Sequence, residues 1–300
     1  DDDRLDLFQV KDPRLLAFAD STVALFQGRS VKVDAQGGTA SLQTEPFGES
    51  FGLCESEPFY HQRSGAFCSG SLVGPDLVMT AGHCIGSQRE CEGTKFVFGF
   101  AIKQKGASPD TVPASDVYGC SKLLGREEHG KGADWALIKL DRPVAGHKAL
   151  AVDRSGDAAK GTPLFVIGHP SGLPAKVAGG AAVRDPSPNG YFVANLDTYA
   201  GNSGSAVFNA KTGSVEGILV RGEMDFESKN GCKVSKVCAS DGCRGEDVTK
   251  ISAVLSGIPP AGPTASSQVA SRVSSPGAAF FELLDSARAE RESLGVPQAR

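Results

Sequence analysis

Three short stretches of this chain carry side chains able to act together on a carbonyl group. His83 lies in Thr80-Ala81-Gly82-His83-Cys84, Asp134 heads the run DWALIKL, and Ser203 sits in Gly201-Asn202-Ser203-Gly204-Ser205. A serine hydroxyl attacks a carbonyl only when a base takes its proton, and a neutral imidazole is suited to that near neutral pH. A buried carboxylate orients the imidazole and stabilises the imidazolium it becomes. The glycines around Ser203 permit a sharp turn that exposes the hydroxyl and aims the backbone N–H groups of Gly201 and Ser203 at a developing oxyanion. The expected catalytic set is therefore His83, Asp134 and Ser203, with Gly201 and Ser203 forming the oxyanion hole. Each residue alone has an ordinary alternative. A single histidine is most often structural or solvated, as is expected for His61, His129, His147 and His169, and a single acid before a strand is often an edge charge. The three blocks occurring together favour the catalytic reading.

The elements that must hold these residues are strands. Thirty-seven glycines and 17 prolines punctuate many short apolar runs, the pattern of an all-β barrel or sandwich rich in turns. Strands are expected at about 22–27, 68–73, 77–80, 95–101, 117–124 and 134–140, and again at about 163–168, 177–183, 191–195, 205–209, 214–221 and 247–252. The polar stretch from Asp141 to Gly161 divides these twelve into two sets of six, so two six-stranded antiparallel barrels are expected, at about 20–145 and 150–258. His83 and Asp134 would come from the first barrel and Ser203 from the second. After Ile258 the composition turns to PPAGPTASSQ, a linker, and Phe280, Phe281, Leu283, Leu284 and Ala287 recur at helical spacing, predicting a helix from Ser275 to about Ser293. The tail 259–300 is expected to pack on the body of the protein, with a docking or sorting role as the alternative.

Bulk properties restrict the function classes. With 300 residues, 40% of them hydrophobic, the chain has ample material for a packed core. Its net charge of −4 is small and its bases are scattered among acids, which argues against nucleic acid as a partner. No apolar run is long enough to cross a bilayer as a helix. The chain opens on Asp1-Asp2-Asp3 and not on a basic, apolar leader, so any export signal is expected to have been removed. Eight cysteines without zinc-type spacing point to disulfides and an oxidising, secreted or periplasmic setting, with no metal and no cofactor expected. Asp1 to Asp3 reads as a solvated terminus before it reads as a calcium site. Cys91 and Cys120, on strands expected to be neighbours, form one expected pair. Cys54 would join a member of the cluster Cys232, Cys238 and Cys243 in the insertion Glu223 to Arg244.

TAGHC, DWALIKL and GNSGS, in the order His, Asp, Ser, resemble the three signature blocks of the chymotrypsin-fold (trypsin-like) serine proteases, over roughly residues 20–258. GNSGS in place of GDSGG makes the chain similar to the bacterial branch that includes the glutamyl endopeptidases. The resemblance implies peptide-bond hydrolysis through an acyl-enzyme, protein or peptide substrates and a monomer. It also implies a disulfide between Cys68 and Cys84, sixteen residues apart, that braces the histidine loop. Asn202 stands where animal members carry an aspartate that receives a new N-terminal ammonium, and no IVGG-like start precedes the first barrel, so that activation route is expected to be absent.

The same resemblance places the specificity determinant six residues before the nucleophile, at Asp197, and the substrate-binding strand at Leu219, Val220, Arg221 and Gly222. A carboxylate at the pocket floor would pair with arginine or lysine before the cut bond. Against this, Arg221 stands where the family carries an aromatic residue, and its guanidinium would neutralise the pocket by reaching Asp197. Acidic and other specificities are the alternatives. Glu246 and Asp247, where the last strand begins, either add negative potential to the pocket or are solvated loop acids. The rival functions are a silent relative that only binds peptides and an esterase using the same three residues.

Overall fold

The computed structural model describes residues 3–237 and 242–260. Twelve strands form two closed barrels, all in antiparallel pairs. The first comprises β1 (Thr22–Gln27), β2 (Cys68–Gly74), β3 (Leu77–Thr80), β4 (Thr94–Phe98), β5 (Val117–Glu128) and β6 (Asp134–Leu140), closed in the order β5-β6-β3-β2-β1-β4. The second comprises β7 (Pro163–Gly168), β8 (Lys176–Asp185), β9 (Tyr191–Ala194), β10 (Ala206–Asn209), β11 (Val215–Arg221) and β12 (Glu246–Lys250), in the order β8-β7-β10-β11-β12-β9, and β8 returns to β9 to close it. Each expected strand is present with ends moved by a few residues. The largest differences are β4, which stops at Phe98 where Gly99 takes φ +75°, and β5, which runs on to Glu128.

The barrels are filled by the aromatic and β-branched residues that favour strands. Val23, Leu25, Phe96 and Phe98 are fully buried in the first. In the second, Phe165 stacks on Phe208 with centroids 4.7 Å apart, and Phe18 caps the pair at 5.2 Å from Phe208. Phe18 belongs to α1 (Pro13–Ala19), which starts with Pro13 as its first residue and with the Asp12 carboxylate accepting from the Arg14 N–H.

Two features were not expected from the sequence. The segment Leu5–Asp6 pairs with the start of β8, Leu5 opposite Val177 and Asp6 opposite Lys176. Lys176 and Asp6 form a buried ion pair at 2.6 Å, and Gln62 hydrogen-bonds to both. Arg4, also buried, lays its guanidinium 3.8 Å from the Tyr199 ring centre. Asp3 is no solvated terminus, since its carboxylate accepts from the Gly179 N–H at 3.0 Å.

Cys68–Cys84 and Cys91–Cys120 are bonded as expected, and Cys54 takes Cys232. Cys243 is disulfide-bonded as well. The 54–232 bridge staples the hairpin of Phe226–Lys229 and Cys232–Ser235, inside the insertion, to the segment after Phe51. The helix expected at 275–293 and the rest of the tail from 261 lie outside the described residues. No helix among the described residues is long and apolar enough to cross a membrane.

Candidate active site

Strand register brings His83 to Asp134. Thr80, the last residue of β3, lies opposite Ala136 of β6, so a turn of three residues carries His83 back beside Asp134 at the head of β6. The turn is tight at Gly82, where a side chain would strike the backbone carbonyls of Glu127 and Trp135. His83 Nδ1 lies 2.8 Å from Asp134 Oδ2, and the His83 backbone N–H donates to Asp134 Oδ1 at 3.1 Å. The histidine is about a third exposed and the aspartate almost fully buried. Burial pushes the Asp134 carboxyl upward, yet the hydrogen bonds from His83 hold it below the usual carboxylate range. The second barrel fixes the backbone of Asp134, because Thr249 of β12 accepts from its N–H at 3.0 Å and donates to its C=O at 2.9 Å.

Ser203 sits in the turn before β10, half-exposed, on the seam between the barrels. Its carbonyl accepts from the Ser69 N–H at 2.8 Å and lies 3.8 Å from the sulfur of Cys84, the neighbour of His83. Among the described residues the Ser203 hydroxyl has no hydrogen-bond partner, His83 included.

The peptide planes of this turn are clamped from behind. The Ser171 N–H donates to the Ala200 C=O at 2.5 Å, and the Ser69 hydroxyl donates to the Gly201 C=O at 2.9 Å. In a trans peptide the N–H points opposite the C=O, so the first bond turns the Gly201 N–H away from Ser171. Gly201 has φ +92°, a conformation that favours glycine. Neither the Gly201 nor the Ser203 N–H has an acceptor among the described residues, which is what an oxyanion hole requires. Behind the clamp, His169 is buried, stacked on Phe100, and pushed down to about 4 by burial, so it stays neutral. Asn202 is buried too, its side-chain oxygen accepting from the Ser205 hydroxyl at 3.3 Å.

The expected specificity residues are rearranged. Asp197 is half-buried and accepts from the Asp3 N–H at 3.4 Å. Val220 is buried. Arg221 does not reach Asp197, so the neutralisation weighed against an Arg or Lys preference does not occur by this route. A register shift between Leu219 and Arg221 re-aims its side chain, and its Nε donates to Asp247 Oδ2 at 3.1 Å. Glu246 and Asp247 are not solvated loop acids. Asp247 is buried between Arg221 and Arg244, and Glu246 lies beneath Gly222, where a Cβ would overlap its carboxyl. Burial, with Asp225 and Asp247 nearby, pushes the Glu246 carboxyl up to about 8, although Thr198 hydrogen-bonds to it. Asp225, which no sequence motif marks, accepts from the Ala200 N–H at 2.7 Å.

His83 Nδ1 or Nε2 also falls close to the sulfurs of Cys68 and Cys84. Those sulfurs are bonded to each other and offer no thiolate to a metal.

Two closed six-stranded antiparallel barrels, with the signature histidine, aspartate and serine blocks at their seam, define a chymotrypsin-fold serine protease. The chain belongs to the trypsin-like peptidase domain family, whose profile matches residues 68–218. It is similar to human chymotrypsin-like elastase family member 3B, 32% identical over 115 residues covering 36% of this chain and 42% of the relative. It is also similar to bovine proproteinase E, 32% identical over 85 residues covering 27% and 33%. The matched stretch thus spans less than half the length of these curated relatives. Among solved structures it resembles the Rv3671c protease of M. tuberculosis in its active form, with 16% identity, 85% of this chain and 87% of that one covered, and a TM-score of 0.45.

Proposed function

We propose that the chain is a serine endopeptidase working through His83, Asp134 and Ser203. Ser203 Oγ attacks the peptide carbonyl while His83 Nε2 takes its proton, Asp134 stabilises the imidazolium, and the N–H groups of Gly201 and Ser203 hold the oxyanion. The proton passes from Nε2 to the leaving amine as the C–N bond breaks, leaving an acyl-enzyme. Water, deprotonated by the same imidazole, then releases the acid. The observation that carries this reading is the 2.8 Å contact of His83 with the buried Asp134 carboxylate. Ser203→Ala is expected to lower cleavage of a denatured protein by about 10⁵-fold or more with the melting curve intact. Unchanged cleavage would refute the assignment.

Preference for Arg or Lys before the cut bond is supported by three carboxyl groups near segment 197–200: Asp197 itself, Asp225 on the Ala200 N–H, and Glu246 on Thr198. A second reading takes the names of the elastase relatives together with the uncharged state that burial favours for Glu246. A neutral carboxyl beneath Gly222 would leave a shallow pocket suited to small side chains. Peptides differing only in Arg, Lys, Ala, Glu or Phe at that position, assayed at pH 6 and pH 9, separate the two. The likeness to glutamyl endopeptidases rests on GNSGS alone, and the Glu peptide tests it. Residues 1–258 are proposed as the protease body and 259–300 as an appendage. The disulfides and the family support an extracellular or periplasmic setting, with peptides and proteins as substrates and the monomer as the working form.

A further inference from the structure

Arg221 occupies a place that its sequence position alone does not indicate. From the end of β11 its Nη1 comes within 3.7 Å of Asp134 Oδ2, the same oxygen that holds His83. The guanidinium is fixed on its other sides, Nε to Asp247 Oδ2 at 3.1 Å and Nη2 to the Gly132 carbonyl at 2.7 Å. Gly132 lies in the turn that leads into Asp134. One side chain of the second barrel therefore bolts down the turn before Asp134 and places a second cation on its carboxylate.

Resting on the proposed triad, we infer that Arg221 is a positioning residue that sets the pH at which His83 becomes a competent base, by competing with the imidazolium for the charge of Asp134. A carboxylate shared with a permanent guanidinium stabilises the imidazolium less than one left alone. The other charged groups packed around the pair are largely matched. Asp247 is held by Arg221 and by Arg244 Nη2 at 2.6 Å. On β5, Arg126 pairs with Glu128 while its Nε donates to the Gly82 carbonyl. Glu127 accepts from the Trp135 indole and lies 3.1 Å from His129 Nε2. Tyr191 of β9 offers its ring face to Arg221. Removing Arg221 takes its guanidinium away from Asp134 and leaves Asp247 paired with Arg244.

The test is the rate at which a small dialkyl fluorophosphonate labels the intact protein as a function of pH. That reaction needs the base and nucleophile but no specificity pocket. Arg221→Met should raise the midpoint of the acid limb by about half a pH unit or more, and Arg221→Lys, which keeps a cation there, should leave it close to the wild-type value. Asp247→Asn, which removes the carboxylate that shares the Arg221 guanidinium with Asp134, should move the midpoint down, and it keeps the test alive if Arg221→Met fails to fold. A uniform loss of rate at every pH with unmoved midpoints in the folded variants would make Arg221 purely structural and overturn the inference. If the wild-type protein is unlabelled at any pH, the triad itself has failed, which is a distinguishable result.

Discussion

At the residue scale, Glu246 is the group whose environment departs furthest from its chemistry. Its carboxyl is displaced from an ordinary 4.5 to about 8, so the folded protein keeps a proton that the unfolded chain releases above about pH 4.5. Folding stability attributable to this residue is therefore complete at low pH and is lost as pH rises through that window, because the folded state binds the extra proton. The wild-type urea midpoint is expected to fall between pH 5 and pH 8, and Glu246→Gln should flatten that fall. The same variant should erase any gain in Arg-peptide over Ala-peptide turnover between pH 6 and pH 9. A wild-type midpoint that rises over this range would contradict the assignment. The residues proposed as the triad stand out in the sequence because each sits in a short block with its turn glycine and flanking strand. Glu246 was legible only as an acid near the pocket, since its burial depends on Gly222 lacking a side chain.

At the element scale, the strand Leu5–Asp6 ties the N-terminal region to the wall of the site. Asp6 and Lys176 are paired in the interior, where removing one partner strands the other charge. Asp6→Ala is expected to cost about 3–5 kcal/mol in chemical denaturation, while Asp6→Leu combined with Lys176→Met should recover most of the loss. Equal destabilisation by the single and double changes would show that packing, not charge, is at stake. The twelve barrel strands could be read from the chain because alternation and β-branched runs report a half-buried sheet directly. The two-residue strand could not, because two residues have no period and its register is imposed by β8. The contacts of Arg221 were not legible for a related reason, since alternation fixes the face of a side chain only until a register shift intervenes.

At the scale of the whole molecule, the two barrels act as one device because each holds part of the other's chemistry. Thr249 of the second barrel holds the backbone of Asp134 in the first and Arg221 lies 3.7 Å from its carboxylate, and Ser69 of the first clamps the Gly201 carbonyl and the Ser203 backbone in the second. Such cross-barrel contacts were not legible in the sequence, whereas the division into two sets of six strands was. The most direct test of the account is to treat the folded protein with a fluorophosphonate and locate the adduct by mass spectrometry of its peptides. The account predicts a single adduct on Ser203 in the wild type and its loss in His83→Ala. A protein that cleaves peptides yet carries no adduct on Ser203, or that is labelled there as fast without His83, would contradict it.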